Sequence, residues 1–184
     1  MTAVPFSVLH VCTGNICRSP MSERILDGLT GDDVFNHGAG TSSWHEGEDM
    51  QPFSARELED RGYEAGGHGA RHLTRAHVAA SDLILVATTG HLGFIAEHYP
   101  EAAGKTFLVR TFGRVAEDAA DELPDGDVNT RGKALVALAE LHRADYDETD
   151  LSDPWGMSRA VYATIADQLE AALKPVAIAL EGGS

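Results

Sequence analysis

Cysteine is scarce in this chain: Cys12 and Cys17 are the whole supply among 184 residues. Two cysteines are too few for a disulfide scaffold, and their surroundings do not match zinc-ligand spacing. A reducing, cytoplasmic setting is the default expectation. Basic charge is short as well, with 14 Lys and Arg against 29 Asp and Glu and a formal charge of −15. A nucleic acid demands a concentrated basic face, so no nucleic-acid partner is expected. Any anion site must be electropositive locally, against the overall field. No stretch is long and apolar enough to span a membrane, and Met1 to Ser7 lacks a basic region followed by an apolar run, so neither a membrane partner nor a secretory signal is expected. The nine histidines are scattered without a HExxH or similar pattern, and no metal or cofactor is expected.

What is present fits one globular domain spanning 1–184, expected as a monomer. A hydrophobic content of 43% and a charged content of 23% are ordinary for such a chain, whose length suffices to bury a substantial core. The acid gathers in two runs, Glu117 to Asp127 and Asp145 to Asp153, which read as solvated faces or loops.

Phe6 to Val11 is a short apolar, β-prone run and reads as a buried strand. A Gly-containing turn follows, then Ser19-Pro20, with Ser19 as helix cap and Met21, Ile25, Leu26 and Leu29 at helical spacing. A second strand is expected at Val34–Ala39, a long loop from Gly40 to Pro52, and a helix over Phe53–Arg61 ended by Gly62. Leu83–Ala87 is the strongest strand signal, continuous and apolar as in a parallel sheet covered on both faces. Thr106–Arg110 is a weaker fourth strand, and helical patterns run over Arg131–His142 and Arg159–Lys174. Asp118–Asn129 reads as a mobile loop. Strands alternating with helices predict an α/β fold with a four-stranded parallel sheet and helices on both faces.

The decisive stretch is Cys12-Thr13-Gly14-Asn15-Ile16-Cys17-Arg18-Ser19, set between a strand and a helix. A turn there exposes successive backbone N–H groups that can surround a dianion at a helix N-terminus. Gly14 and Asn15 are the two residues best able to adopt left-handed backbone angles, and Arg18 can close the ring with a two-point contact to phosphate. A thiol at the base of such a cradle ionises near or below neutral pH, since these settings lower thiol pKa to roughly 3.5–7.5. A Cys and an Arg six positions apart carry little alone, and a free cysteine at a strand end is usually a small buried hydrophobe. Strand, Cys, Gly-Asn turn, Arg, Ser-Pro and helix in that order is far harder to reach by accident.

The run Val11 to Pro20 resembles the signature of the low-molecular-weight protein tyrosine phosphatase family. Asp153-Pro154-Trp155 is similar to that family's late Asp-Pro pair followed by an aromatic residue. Gly40-Thr41 with Trp44 resembles its cleft wall, and His68 with Ala70-Arg71 its supporting histidine segment. The resemblance implies hydrolysis of phosphotyrosine in a protein substrate. Cys12 would attack phosphorus to give a phosphocysteine while Asp153 protonates the departing phenol, and Asp153 would then activate water. Arg18 and the loop amides would offset the developing charge without a metal, and Trp44 and Trp155 would flank a deep slot for an aryl phosphate. It also implies a protective role for Cys17, as a partner that captures oxidised Cys12, beside the plainer reading of Cys17 as packing under the loop.

Several positions depart from the family pattern. Gly38, preceded by His37, stands where a Ser usually supports the cradle's Asn, so Asn15 needs another partner, with His37 and His68 as candidates. Ala87-Thr88-Thr89 replaces a Met and an acidic residue, a single aromatic follows Pro154, and 118–151 reads as an insertion-like acidic region. Two rival readings remain: an arsenate reductase of related fold, for which no later cysteine is present to relay thiols, and a non-catalytic phospho-ligand binding module, against which the joint presence of Cys12, Arg18 and Asp153 argues.

Overall fold

A computed structural model describes residues 4–183. Four strands, β1 (Phe6–Cys12), β2 (Val34–Gly40), β3 (Leu83–Val86) and β4 (Thr106–Leu108), form one parallel sheet in the order β2-β1-β3-β4. Every residue of β1 and β3 is buried. Both faces of these strands are covered, so β3 is apolar throughout and the two polar residues of β1, Ser7 and His10, are buried with hydrogen-bond partners. Phe6, Val8, Leu83 and Leu85 face one core, shared with residues of helices α1 (Arg18–Leu29), α5 (Val109–Ala119), α6 (Val128–Leu141) and α7 (Arg159–Glu181). Leu9, Val11, Ile84 and Val86 face a smaller core with Val78 of α3 (Arg75–Ala79) and Ile95 of α4 (Thr89–His98). The remaining helix, α2 (Pro52–Asp60), ends before Gly62, whose φ of 83° suits glycine.

The strand order places the functional stretch. From β1 the chain moves to one side for β2, then crosses back over β1 to β3 on the other side. The carboxyl end of β1, where Cys12 sits, therefore opens at the point where the winding reverses, the usual crevice of open parallel sheets.

Several expected boundaries move. Val109 and Arg110 belong to α5 and not to β4, because Val109, Phe112, Gly113, Ala116 and Ala119 make a buried stripe at helical spacing. Gly113 is required there, since a Cβ would lie 2.5 Å from the Ala172 carbonyl oxygen of α7. The expected loop at 118–129 shrinks to 123–127: a 3₁₀ turn at Ala120–Glu122 follows α5, and Asp127 caps α6 by accepting from Thr130 N at 2.8 Å. Helix α7 passes through Pro175 to Glu181, because Val176, Ala177, Ala179 and Leu180 continue its buried face beyond the proline. Ser19 is not a cap: α1 starts at Arg18, and the Ser19 hydroxyl is used elsewhere.

Candidate active site

Between β1 and α1 the chain curls over residues 13–17 with Asn15 at φ 56°, the one positive φ among non-glycine residues described. Gly14 does not share that conformation. Its lack of a side chain serves a close approach, since a Cβ would meet His45 Cδ2 at 2.9 Å. Gly40 is needed for the same kind of reason, because a Cβ there would lie 2.5 Å from the Thr13 carbonyl oxygen. Thr41 N donates to Cys12 O at 3.0 Å and Ser42 N to Thr13 O at 2.9 Å, fastening the loop after β2 to the curl. Among the described residues, the N–H groups of Thr13, Gly14, Asn15, Ile16 and Cys17 donate to nothing else in the chain. Turned inward, such a run of donors makes an anion nest at the head of α1.

Cys12 is 2% exposed, at the floor of this curl, with its Sγ 3.0 Å from Ser19 Oγ. Asn15 Nδ2, which can only donate, reaches Ser19 Oγ at 2.8 Å. Ser19 therefore accepts from Asn15, and its own proton is free to point at Cys12 Sγ. Arg18 is 4% exposed. One of its terminal nitrogens donates to Leu151 O at 2.9 Å, and the other lies 3.7 Å from Asp153 Oδ2. Its Nε is buried without a partner. A buried guanidinium with a free donor beside a nest of free N–H groups is complementary to a phosphate.

Asn15 is held without the family's serine. Its Oδ1 accepts from Arg71 N at 3.0 Å, and its carbonyl oxygen accepts from His68 Nε2 at 2.7 Å. His68 thus lies against the cradle. His37 does not: its Nε2 contacts the hydroxyls of Ser7 and Ser81 at 3.2 and 2.9 Å. The space above Gly38 is taken by Glu23. A Cβ on Gly38 would meet Glu23 Oε2 at 2.7 Å and Asn15 Nδ2 at 2.9 Å. Burial pushes the Glu23 carboxyl up to about 7, against the nearby charges of Arg24 and Arg71.

Above Cys12 opens a cavity of about 390 Å³, lined by Thr13, Gly14, Ile16, Cys17 and Arg18 together with Ser42, Trp44, His45, Asp153 and Trp155. Trp44, His45 and Trp155 are the aromatic parts of its wall. Trp44 is 86% and Trp155 52% exposed, and Trp155 leans on His45 with ring centroids 5.3 Å apart. Asp153 Oδ1 accepts from Trp155 N at 3.1 Å, a short turn that aims the carboxylate at the cavity. Cys17 is buried with its Sγ 3.5 Å from Tyr162 Oη, and burial pushes its thiol up to about 11.

Residues 7–135 match the family described as low molecular weight phosphotyrosine protein phosphatase. The chain belongs to that family. A protein-arginine-phosphatase of Geobacillus stearothermophilus is 32% identical over 149 residues, covering 80% of this chain and 90% of the relative. A low molecular weight protein-tyrosine-phosphatase of Streptomyces coelicolor is 34% identical over 127 residues, covering 65% and 77%. Among solved structures, an arginine phosphatase from Geobacillus stearothermophilus superposes with a TM-score of 0.72 at 27% identity, covering 94% of this chain and 91% of that one. The tyrosine phosphatase amsI from Erwinia amylovora gives 0.70 at 26% identity, covering 97% and 95%.

Against the phosphatase family's pattern, the sequence concealed three contributors. Ser42 and His45 line the cavity, and His91 contacts Thr13 Oγ1 at 2.8 Å. The first two lie in a loop whose path is fixed by its bonds to the cradle and to Ala70. His91 stands 78 residues from Thr13, and no spacing rule links them.

Proposed function

We propose that Cys12, Arg18 and Asp153 carry the hydrolysis of phosphotyrosine in protein substrates through a phosphocysteine at Cys12. The observation that supports this best is the Cys12 thiol at the floor of a cavity flanked by Trp44 and Trp155, with the Ser19 hydroxyl behind it and unpartnered donors around it. The ester phosphate enters the nest and takes hydrogen bonds from the loop N–H groups and from Arg18 Nε. Cys12 sulfur attacks phosphorus, the phenolic oxygen leaves, and Asp153 supplies its proton. Asp153 then takes a proton from the water that cleaves the S–P bond, which frees the thiolate and inorganic phosphate. The two free cysteines suit a reducing compartment, where the nucleophile stays reduced.

A second reading follows from the relative named a protein-arginine-phosphatase: phosphoarginine as substrate. A guanidinium beside the phosphate asks for carboxylates, whereas Asp153 is the single carboxylate lining the cavity, among Ile16, Trp44 and Trp155. These walls favour an aryl group. The test is a matched pair of peptides bearing phosphotyrosine or phosphoarginine at one position. A higher kcat/KM on phosphotyrosine is expected. The reverse order would replace the substrate while keeping the chemistry, and turnover retained by Cys12→Ser on both would remove the chemistry too.

A further inference from the structure

His91 sits at the third position of α4, 6% exposed, with its ring between that helix and the phosphate cradle. Its two nitrogens do different work. Thr88 N donates to Nδ1 at 3.2 Å, and a backbone N–H has no other role than donor, so Nδ1 is the acceptor and the proton of the neutral ring sits on Nε2. Nε2 lies 2.8 Å from Thr13 Oγ1. The hydroxyl oxygen of Thr13 accepts from it, which leaves the Thr13 proton facing elsewhere, on a side chain that lines the cavity above Cys12.

The same chain contains an internal comparison. His77 holds the matching position of α3: Thr74 N donates to its Nδ1 at 3.2 Å and its own N–H donates to Thr74 Oγ1 at 3.3 Å. Both histidines close a capping box. The cap is complete in α3 without any further hydrogen bond to the ring, so helix capping accounts for Nδ1 of His91 and leaves Nε2 unexplained.

We propose that His91 is a positioning residue of the phosphate cradle, whose Nε2 proton holds Thr13 Oγ1 and thereby turns the Thr13 hydroxyl proton to a bound phosphate oxygen. The role rests on the cradle assigned above and extends it by one side-chain donor beyond the loop amides and Arg18. It requires the neutral ring, because a second proton on Nδ1 would oppose Thr88 N–H. The charged groups facing the ring are Arg18 from α1 and Asp150 and Asp153 from the loop before α7. Burial, with Arg18 adding to it and the two carboxylates opposing, holds the imidazole down at about 4, so the ring is neutral across the range in which a cradle thiolate acts.

His91→Gln tests this, since glutamine preserves the Thr-x-x-Gln capping box while removing the imidazole. Thr13→Val removes the hydroxyl, and Thr13→Ser keeps it. Affinity for inorganic phosphate is read by calorimetry, alongside KM, kcat and melting temperature. One lost hydrogen bond predicts about a 5-fold weaker phosphate affinity in His91→Gln and in Thr13→Val, with melting temperatures close to wild type. The double variant should be no weaker than either single one, and Thr13→Ser should bind as wild type does. Additive losses, or unchanged affinity in either single variant, would overturn the role of His91 while the hydrolase reading stands. A wild-type chain that binds no phosphate would remove both.

Discussion

At the scale of single residues, Ser19 shows how one hydroxyl can link support and reactivity. Asn15 Nδ2 can only donate, so Ser19 accepts from it and keeps its own proton free for Cys12. A hydrogen bond to a charged partner contributes about 1.5–3 kcal/mol, so removing this hydroxyl from beside the reacting sulfur should make Ser19→Ala about 10-fold or more slower in turnover. Steady-state kinetics on an aryl phosphate check this, and turnover equal to wild type would contradict it. The sequence offered Ser19 as a cap, a natural reading for serine before a proline. Its hydroxyl instead turned inward because the curl brings Cys12 and Asn15 to the same side of the first helical turn. Gly38 and Glu23 teach a related lesson, for the missing serine side chain could be read from the sequence but not the carboxyl that fills its place.

At the scale of elements, the segment carrying Asp153 is tied down along its length by α5. Arg114 donates to Asp147 O and to Thr149 Oγ1, Arg110 donates to Asp150 O, and Thr111 Oγ1 donates to Asp147 O. Leu151 then closes the strap from the other side: its N–H donates to Ala87 O and its carbonyl accepts from Arg18. The acid is thus positioned by α5 and Ala87 from outside the cavity and by Arg18 from within it. Asp153→Asn should slow esters with poor leaving groups by about 10²–10⁴-fold, with activated phenols far less affected. Arg114→Ala should weaken the same esters selectively, by a smaller factor, since it loosens the loop and leaves the carboxyl in place. A series of aryl phosphates of graded leaving-group pKa separates the two effects. Equal losses across the series for Asp153→Asn would show that another group gives the proton.

At the scale of the whole molecule, three buried imidazoles link stability to pH. His10 lies within β1 and contacts Ser22 Oγ and Asn36 Oδ1, and His37 lies within β2. Burial holds both, like His91, down at about 4 from the ordinary 6.5. Between those pH values the unfolded chain binds protons that the folded chain refuses, so stability is complete above about 6.5 and falls as pH drops toward 4. Glu23 acts in the opposite sense: its carboxyl, raised from 4.5 to about 7, makes the folded chain hold a proton that the unfolded one releases over that span. Three groups outweigh one. The urea midpoint should therefore be lower at pH 5 than at pH 7, and His10→Asn should flatten part of that slope in whatever stability it retains. A midpoint that rises on acidification would refute the assignment of neutral, buried histidines.

The first strand, the curl after it and the first helix were legible from residues 6–29 because there the signals are local: a mostly apolar strand, a Gly-Asn turn, an arginine and a helical period follow one another without interruption. The β3 strand was legible for the same reason, its four buried residues being apolar throughout. The α5 helix was not, since its apolar stripe continues directly from β4 and a short strand and a helix end share that composition. Nor could any local pattern show Glu23 filling the space over Gly38, Leu151 O receiving Arg18, or His91 reaching Thr13. Those pairings join residues on separate elements that meet only once α1, β2, α4 and the segment before α7 pack around the carboxyl end of β1, so close packing there decided which polar groups meet.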